Sequence, residues 1–267
     1  MNRRPSAGTR TPASTTPRTP PEVPVSRSSP LSALTRTLSA LAAEQDAVSV
    51  LSALVESCGD VLGGDVGIVV SEDLHAAAPE RFDLLAASSH TAATLELFQL
   101  QVGHGPCLDA VTADEDVSVA GDRAMGARWP RLEPALLRSG YHAAHALPMR
   151  WRGHPFGALN LFLGTPHPLT ADERTTARAF ADVAAITIVH AGARPDLDAV
   201  ARAVAATGAH RALVSQATGA ARFLLDAEED EAYAALQRHA RRTGAPLTDV
   251  ARELLDHVAA GDRPAWL

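Results

Sequence analysis

The stretch RHARRTGAPLTDVARELL, residues 238–255, predicts two short helices separated by a turn. Gly244 and Pro246 mark the turn, because glycine favours the end of a helix and proline cannot continue one. The second helix is predicted to begin at Thr248. No strand pattern follows GARPD at residues 192–196, so the end of the chain is predicted to be all helical.

Upstream signals complete this helical region. A helix is predicted from Arg211 to Leu225, and the next begins after Asp226, whose side chain can cap it while Glu229 returns the bond. An apolar seam, weakened by Gly208, predicts a linker helix before them. Its members are Leu197, Val200 and Val204. A module of about 60 residues is too small to be stable alone, so we expect it to dock or to pair.

A cationic cluster lies in the quoted stretch. Arg238, Arg241 and Arg242 fall on one side of a helix, whereas Leu236 and Ala240 face the other way. Guanidinium groups suit phosphate and can stack on unpaired bases, which favours an RNA contact. Spacing alone favours a simpler interpretation, an exposed helix C-terminus where the helix dipole stabilises arginine.

The charge balance limits any such contact. The chain has a net charge of −7, and its residues 196–267 carry eight arginines against eleven acidic residues, a net charge of −3. A broad positive field for non-specific nucleic-acid binding is therefore excluded. We expect modest RNA affinity with a steep dependence on salt.

Residues 31–192 predict an α+β domain. An amphipathic helix, broken near residues 44–46 and ended by glycines 63 and 64, precedes five β-like runs. The runs are VGIVVS at 66–71, FDLLAASS at 82–89, DVSVAG at 116–121, YHAAHALPM at 141–149 and FGALNLFLG at 156–164. RWRGHP at 150–155 predicts a hairpin turn. Thr170 and Glu173 predict a capping box for a closing helix that ends near Ala191.

Composition restricts the class of protein further. Residues 1–30 are rich in Pro, Ser, Thr and Arg and predict a disordered tail, either simply solvated or able to tether RNA. No signal-peptide or membrane-span pattern is present, which predicts a cytoplasmic protein without a membrane partner. The chain's 24 basic residues are all arginine, which indicates GC-rich coding rather than selected chemistry. Cys58 and Cys107 alone cannot supply a disulfide framework or a metal cage.

Two resemblances add to these patterns. The stretches LQVGHGPCLDAVTADEDVSVAGD, RWPRL, ALPMRWRGHPFGALNLF and LTADERTTARAFADVAA resemble the GAF domains of actinobacterial regulators over roughly residues 33–191. The resemblance implies a sensor domain with an antiparallel sheet flanked by helices and a small-molecule ligand of unknown identity.

Residues 212–258, ALVSQATGAARFLLDAEEDEAYAALQRHARRTGAPLTDVARELLDHV, resemble an ANTAR domain. This family is a three-helix RNA-binding module of transcription antitermination, and its dimers bind paired hairpins. The family's Q-A-K-G is here Gln216, Ala217, Thr218 and Gly219, so one cation of an expected phosphate site is replaced. The second helix keeps Glu231, Ala232, Tyr233, Leu236, His239, Ala240 and Arg241, and the third keeps Leu247, Asp249, Val250 and Ala251.

The resemblance and the basic cluster together give a set of candidate RNA-binding residues. They are Gln216, Thr218, Arg222, Tyr233, Arg238, His239, Arg241 and Arg242. Tyr233 fits base stacking and a core aromatic about equally well. The apolar seam is a candidate joining surface for a homodimer, although Gly208 and its short length argue against a strong coiled coil.

Enzymatic interpretations are weaker. Cys107 in GHGPCLDA, with His104 and Asp109 nearby, invites a nucleophile hypothesis, but no positioned base is indicated and a structural role is favoured. His142, His145 and His154 match no metal-ligand or haem-ligand spacing. We therefore expect no catalytic residues, no metal site and no identifiable cofactor.

The combined prediction is a GAF-like α+β sensor domain followed by a small all-α ANTAR-like domain. The boundaries are a tail at 1–30, the sensor domain at 31–192, a linker helix at 193–210, the RNA-binding domain at 211–260 and a tail at 261–267. The predicted function is RNA-binding regulation of transcription by antitermination, with structured RNA hairpins as partners. The alternative is a degenerate ANTAR domain without RNA binding, acting as a ligand-sensing or protein-interaction module.

Overall fold

A five-stranded antiparallel sheet organises the N-terminal domain in the computed structural model, which describes residues 29–42, 46–71, 82–190 and 197–267. The strands are β1 (Asp65–Ser71), β2 (Phe82–Ala87), β3 (Val117–Ala120), β4 (Ala143–Trp151) and β5 (His154–Leu163), in the order β2-β1-β5-β4-β3. The five predicted strand regions are confirmed. The hairpin at 150–155 is confirmed too, with Arg152 and Gly153 both at positive φ, a pairing that matches the twist of antiparallel strands.

Helices cover both faces of this sheet and form the end of the chain. Within the described residues they are α1 (Pro30–Ala42), α2 (Ala47–Leu62), α3 (His90–Val102), α4 (Pro106–Ala113), α5 (Asp122–Arg128), α6 (Glu133–Arg138), α7 (Ala171–His190), α8 (Leu197–Leu225), α9 (Glu229–Thr243) and α10 (Leu247–Ala259). Residues 1–28 of the predicted tail at 1–30 lie outside the described residues.

One face of the sheet packs against α1, α2 and α7 around buried Leu54, Ile68 and Phe180. Local signals place these helices well. The Asp46 side chain caps the first turn of α2, and Gly63, at φ 75°, ends that helix. The capping box of α7 is confirmed, because the Thr170 amide donates to Glu173 at 2.9 Å and the Glu173 amide donates to the Thr170 hydroxyl at 3.3 Å.

The opposite face packs against α3 to α6 around a second core containing Met125, Trp129 and Phe162. A third core holds α8, α9 and α10 together, with Ala217, Leu236 and Leu254 fully buried. Val48 of α2 belongs to that third core, so the N-terminal domain supplies part of the apolar surface that buries the C-terminal helices. This meets the expectation that the small helical module would dock.

Two sequence predictions about the C-terminal helices are wrong. The linker helix and the helix predicted from Arg211 are one continuous helix, α8. Gly208 does not break it, and a Cβ at this position would meet only the end of the Asp83 side chain, 2.9 Å from Oδ2. Asp226 has φ 51° and does not cap α9, whose N-cap is Glu228 without a side-chain hydrogen bond.

The seam proposed for dimerisation lies in the first part of α8. The backbone there is helical, whereas the side chains of Leu197, Val200 and Val204 lie outside the described part of the chain.

Candidate RNA-binding surface and the interface between the domains

Helix α9 presents two polar side chains to one acidic residue of α2. Arg241 Nη2 donates to Glu56 Oε2 at 2.6 Å, and Gln237 Nε2 donates to Glu56 Oε1. Burial raises the pKa of Glu56, and its ion pair with Arg241 acts in the opposite direction. Arg241 keeps 67% of its side-chain surface exposed, whereas Glu56 keeps 28%. A predicted RNA contact is thus engaged by a carboxylate of the other domain.

Further hydrogen bonds join the C-terminal helices to α2 in the same region. The Tyr233 hydroxyl donates to Ser52 Oγ at 3.1 Å, and the Leu247 amide donates to Ser49 Oγ at 2.8 Å. Ser49 and Ser52 lie about one turn of α2 apart, and Glu56 follows one turn later. Ser49, Ser52 and Glu56 therefore lie along one face of α2, where they bind the start of α10 and residues of α9.

The N-terminus of α9 contacts the N-terminus of α3. Glu229 Oε1 lies 3.0 Å from His90 Nδ1, and Asp230 Oδ1 accepts a hydrogen bond from the His90 amide at 2.8 Å. Glu229 and Asp230 are thereby directed at the N-terminal domain, and the helix dipole also favours acidic residues at this end of α9. Their charge is kept apart from the arginines at the other end of α9.

The remaining basic residues of α9 are exposed and differ in their partners. Arg238 is exposed, and no charged side chain in the described residues lies within ion-pair distance of it. Arg242 Nη2 donates to His239 Nδ1 at 2.8 Å, while the His239 ring stacks on Trp266 with centroids 4.1 Å apart. Burial, with Arg242 nearby, lowers the pKa of His239, so the neutral ring can accept that hydrogen bond.

Helix α8 offers a second exposed group. Gln216 and Arg222 are exposed as expected, and Phe223 beside them keeps 85% of its surface in contact with solvent. An exposed phenylalanine next to an arginine can supply a stacking platform and a phosphate contact together. Sequence reasoning missed Phe223, because an apolar residue in an amphipathic helix is expected to face the core.

Two of the predicted RNA contacts are not accessible in this arrangement. Thr218 is 4% exposed and its hydroxyl donates to the Val214 carbonyl at 2.9 Å. Tyr233 is half-buried with its hydroxyl committed to Ser52. The physical reason is the docking of α8 and α9 on α2, which places both side chains at the contact between the domains. Threonine at 218, in place of a long cation, fits that buried position.

The interior of the N-terminal domain holds a second polar cluster that sequence reasoning missed. The Asn160 amide donates to both carboxyl oxygens of Glu96, at 2.8 and 3.0 Å, and Gln99 Nε2 donates to Glu96 Oε2. The Gln99 carbonyl accepts from the Cys107 amide at 3.2 Å. Burial raises the pKa of Glu96 to about 8, so its carboxyl group is mostly neutral at pH 7.

Two protein-family models match these two regions of the chain. The GAF domain model matches residues 46–188, which is more than half of the chain. The chain belongs to the GAF domain family. The ANTAR domain model matches residues 202–255, which include most of α8 and all of α9. The chain therefore combines a GAF sensor domain with a C-terminal ANTAR domain, a domain of the RNA-binding antitermination regulators.

Solved structures of GAF domains are similar to the N-terminal domain of this chain. A GAF domain from a Coxiella burnetii phosphoenolpyruvate-protein phosphotransferase is 18% identical with a TM-score of 0.48, covering 63% of this chain and 96% of its own. Its counterpart from Acinetobacter is 15% identical with a TM-score of 0.47, covering 61% and 94%. At this identity such likenesses do not extend to function. Curated protein sequences give no significant match.

The GAF domain places the candidate nucleophile in its core. Cys107 is fully buried, and burial raises the pKa of its thiol. His104 Nε2 donates to the Arg128 carbonyl at 3.0 Å, and Asp109 accepts from Arg128 Nε at 2.8 Å and from Trp129 Nε1 at 3.0 Å. His104 and Asp109, which flank Cys107 in the sequence, thus bind the residues at the end of α5. This geometry favours the structural role of the cysteine.

The three candidate histidines of the GAF domain are not brought together. His145 Nε2 donates to the His167 carbonyl at 3.1 Å, so its Nδ1 accepts from the Ser118 hydroxyl at 2.8 Å. Burial lowers the pKa of His145 to about 4. His142 pairs with Asp122 at 2.7 Å, and His154 lies in the exposed hairpin. No group of three His, Cys, Asp or Glu in the described part of the chain could hold a metal ion.

No described helix is long and apolar enough to cross a membrane.

Proposed function

We propose that this protein is a regulator of transcription antitermination of the actinobacterial type, which binds hairpin RNA in the cytoplasm under the control of its GAF domain. The observation that carries the proposal is a set of exposed cationic, polar and aromatic side chains on two helices of the ANTAR domain. They are Gln216, Arg222 and Phe223 of α8 and Arg238 and Arg242 of α9. Guanidinium groups contact phosphates, and an exposed aromatic ring stacks on a splayed base.

The mode of control follows from the contacts across the domain boundary. Arg241 is held by Glu56 and Tyr233 by Ser52, so the docked arrangement engages two of the predicted RNA contacts. A released ANTAR domain would regain both. An exposed ion pair contributes up to about 1 kcal/mol and a hydrogen bond about 1 kcal/mol, so these polar contacts add modestly to the apolar packing of Val48 against the C-terminal helices. A sensory ligand shifts the balance by binding one arrangement better than the other.

Electrostatics set the expected strength of binding. Glu229 and Asp230 at the start of α9 contact His90 of the GAF domain, whereas Glu228 and Glu231 of the same turn are exposed. The net charge of −3 over residues 196–267 still opposes approach to RNA at long range. Affinity is therefore modest and falls steeply as salt rises.

A second candidate function has its own support. Thr218 replaces the family's lysine and is buried, and Arg241 is paired within the chain. A degenerate ANTAR domain that serves as a docking partner of the GAF domain, in a ligand-sensing or protein-interaction module, is consistent with both observations.

Hairpin RNA binding at low salt separates the two functions. The wild type is compared with Arg222→Ala/Arg238→Ala, which removes two exposed cations and no described ion pair across the domain boundary. The regulator function predicts binding by the wild type and a loss of about 100-fold in the double variant, about tenfold for each contact. Arg241 is unsuitable for this test, because replacing it would break the contact with Glu56 and remove a cation at the same time. The two effects on RNA binding could not be separated.

A further inference from the structure

A cleft lies between the two domains, next to the contacts already described. Helix α2, strand β2 and the start of α3 form its wall on the GAF side, and α8 and α9 form the wall on the ANTAR side. Its volume is about 90 Å³. That space corresponds to about three water molecules in the liquid, or to a compact organic molecule.

One cation in this cleft lacks a counterion. Arg211 of α8 lines it and is half-buried, and no carboxylate of the described residues lies within ion-pair distance. Asp83, Tyr233 and Glu96 act on it only through longer-range charge, while burial lowers the pKa of its guanidinium. A guanidinium removed from water needs acceptors for its N–H donors, and a planar carboxylate matches them in pairs.

The acidic residues of the opposite wall do not fill this need. Glu229 and Asp230 line the cleft, but Glu229 pairs with the His90 ring and Asp230 accepts from the His90 amide. These contacts tie both carboxylates to the start of α3. Arg211 is therefore left for a ligand that enters from solvent.

The rest of the lining combines hydroxyl side chains, among them Ser89 and Ser215, with a patch of small apolar residues. Leu85 and Val214 lie on opposite sides of the cleft, and Ala87 and Ala93 leave the space between them open. Such a surface suits a short branched hydrocarbon body and does not replace the hydration of a free phosphate ion.

We infer that this cleft binds a small carboxylate with a short apolar chain, its acid group on Arg211 and its chain between Leu85 and Val214. The ligand contacts both domains and so stabilises the docked arrangement, since it binds that arrangement and not the separated one. Opposition of this ligand to RNA binding rests on the proposed function. The binding site itself does not.

The test uses 3-methylbutanoate as the probe, titrated into the full chain by calorimetry. We expect saturable binding to the wild type and to Arg252→Gln, a matched change at an exposed position of α10 outside the cleft. Arg211→Gln is expected to bind 3-methylbutanoate about tenfold more weakly or worse. The neutral probe 3-methylbutanamide is expected to bind the wild type more weakly by a similar factor. Equal binding of acid and amide, undiminished binding to Arg211→Gln, or no binding to the wild type would overturn the inference, and inorganic phosphate binding as tightly would refute the apolar subsite.

A second variant keeps the test decisive if Arg211→Gln does not fold. Ala93→Leu fills the cleft from the GAF side and leaves Arg211 unchanged, so it should also abolish binding of 3-methylbutanoate. Retained binding in Ala93→Leu would contradict the site. Adding the probe to a hairpin-binding assay separates the two proposals: ligand binding without any RNA binding leaves the site standing and refutes the proposed function.

Discussion

Arg241 of the ANTAR domain donates a 2.6 Å hydrogen bond to Glu56 of the GAF domain, and these residues lie 185 positions apart in the chain. Glu56 also accepts from Gln237, so one half-buried carboxylate anchors two residues of α9. A guanidinium that would serve RNA in a free ANTAR domain serves the domain contact here. Under the proposed function, docking and RNA binding compete for the same side chain.

Glu56→Gln should raise the affinity for hairpin RNA. The change removes the charge that holds Arg241, and an ion pair of this exposure contributes up to about 1 kcal/mol, which corresponds to about two- to fivefold tighter binding. Fluorescence anisotropy of a labelled hairpin at low salt measures the effect. Glu115→Gln is the matched control, because it removes the same charge at an exposed position of the GAF domain. Equal gains in the two variants would show that net charge alone is responsible.

Phe223→Ala should weaken RNA binding without destabilising the protein. The side chain is 85% exposed, so little apolar contact is lost on truncation. Stacking on a base contributes about 1–3 kcal/mol, which predicts a loss of about tenfold or more in affinity. Leu97→Ala, which removes an exposed apolar side chain from α3, is the control for stability. A drop in melting temperature together with unchanged RNA affinity would assign Phe223 to packing instead.

Tyr233→Phe should loosen the docked arrangement. The hydroxyl donates to Ser52 Oγ, and loss of this hydrogen bond costs about 1 kcal/mol. Hydrogen exchange at the amides of α9 should become faster, while exchange within the sheet of the GAF domain stays unchanged. Ser52→Ala should reproduce the effect, and the double change should add little to either single one. Additive effects of the two changes would mean that the hydrogen bond does not carry the coupling.

Glu96 should make the stability of the GAF domain fall as pH rises. Its pKa in the folded chain is raised to about 8, above the ordinary value of 4.5, so the folded state binds the proton more tightly. Its stabilising effect is fully present below pH 4.5 and is lost as pH rises through about 8. Urea unfolding at about pH 5.5 and about pH 8.5 should show a loss on the order of 3 kcal/mol.

Glu96→Gln supplies the comparison for that titration. The variant keeps the size of the side chain and lacks the ionisable group, so its stability should depend less on pH over the same range. His145 acts in the opposite direction, because burial lowers its pKa to about 4 and its stabilising effect is lost as pH falls below 6.5. That contribution is common to both proteins and cancels in the difference. Identical pH profiles would show that Glu96 is not the responsible group.

Local signals in the sequence predicted the fold well. The hairpin at 150–155, the capping box at Thr170 and the end of α2 at Gly63 each depend on a few neighbouring residues, and all are confirmed. Gly208 misled because one glycine costs a helix only about 1 kcal/mol, which is small beside the packing of the long helix α8 against its neighbours.

The candidate site was predictable only in part. The spacing of Arg238, Arg241 and Arg242 placed them on one face, and Leu236 on the opposite face is buried. The burial of Thr218 and Tyr233 at the contact between the domains could not be predicted from the sequence, because it depends on the packing of α8 and α9 against α2. Glu96 likewise gave no signal, since a lone glutamate in a helix is normally exposed.

The most direct test of the account is the anisotropy of a labelled hairpin RNA titrated at low salt with wild type, Glu56→Gln and Arg222→Ala/Arg238→Ala. We predict binding by the wild type, tighter binding by Glu56→Gln and a loss of about 100-fold in the double arginine variant, with affinity falling steeply as salt is added. Absence of binding in both wild type and Glu56→Gln, or full binding by the double variant, would contradict the assignment of RNA recognition to this surface.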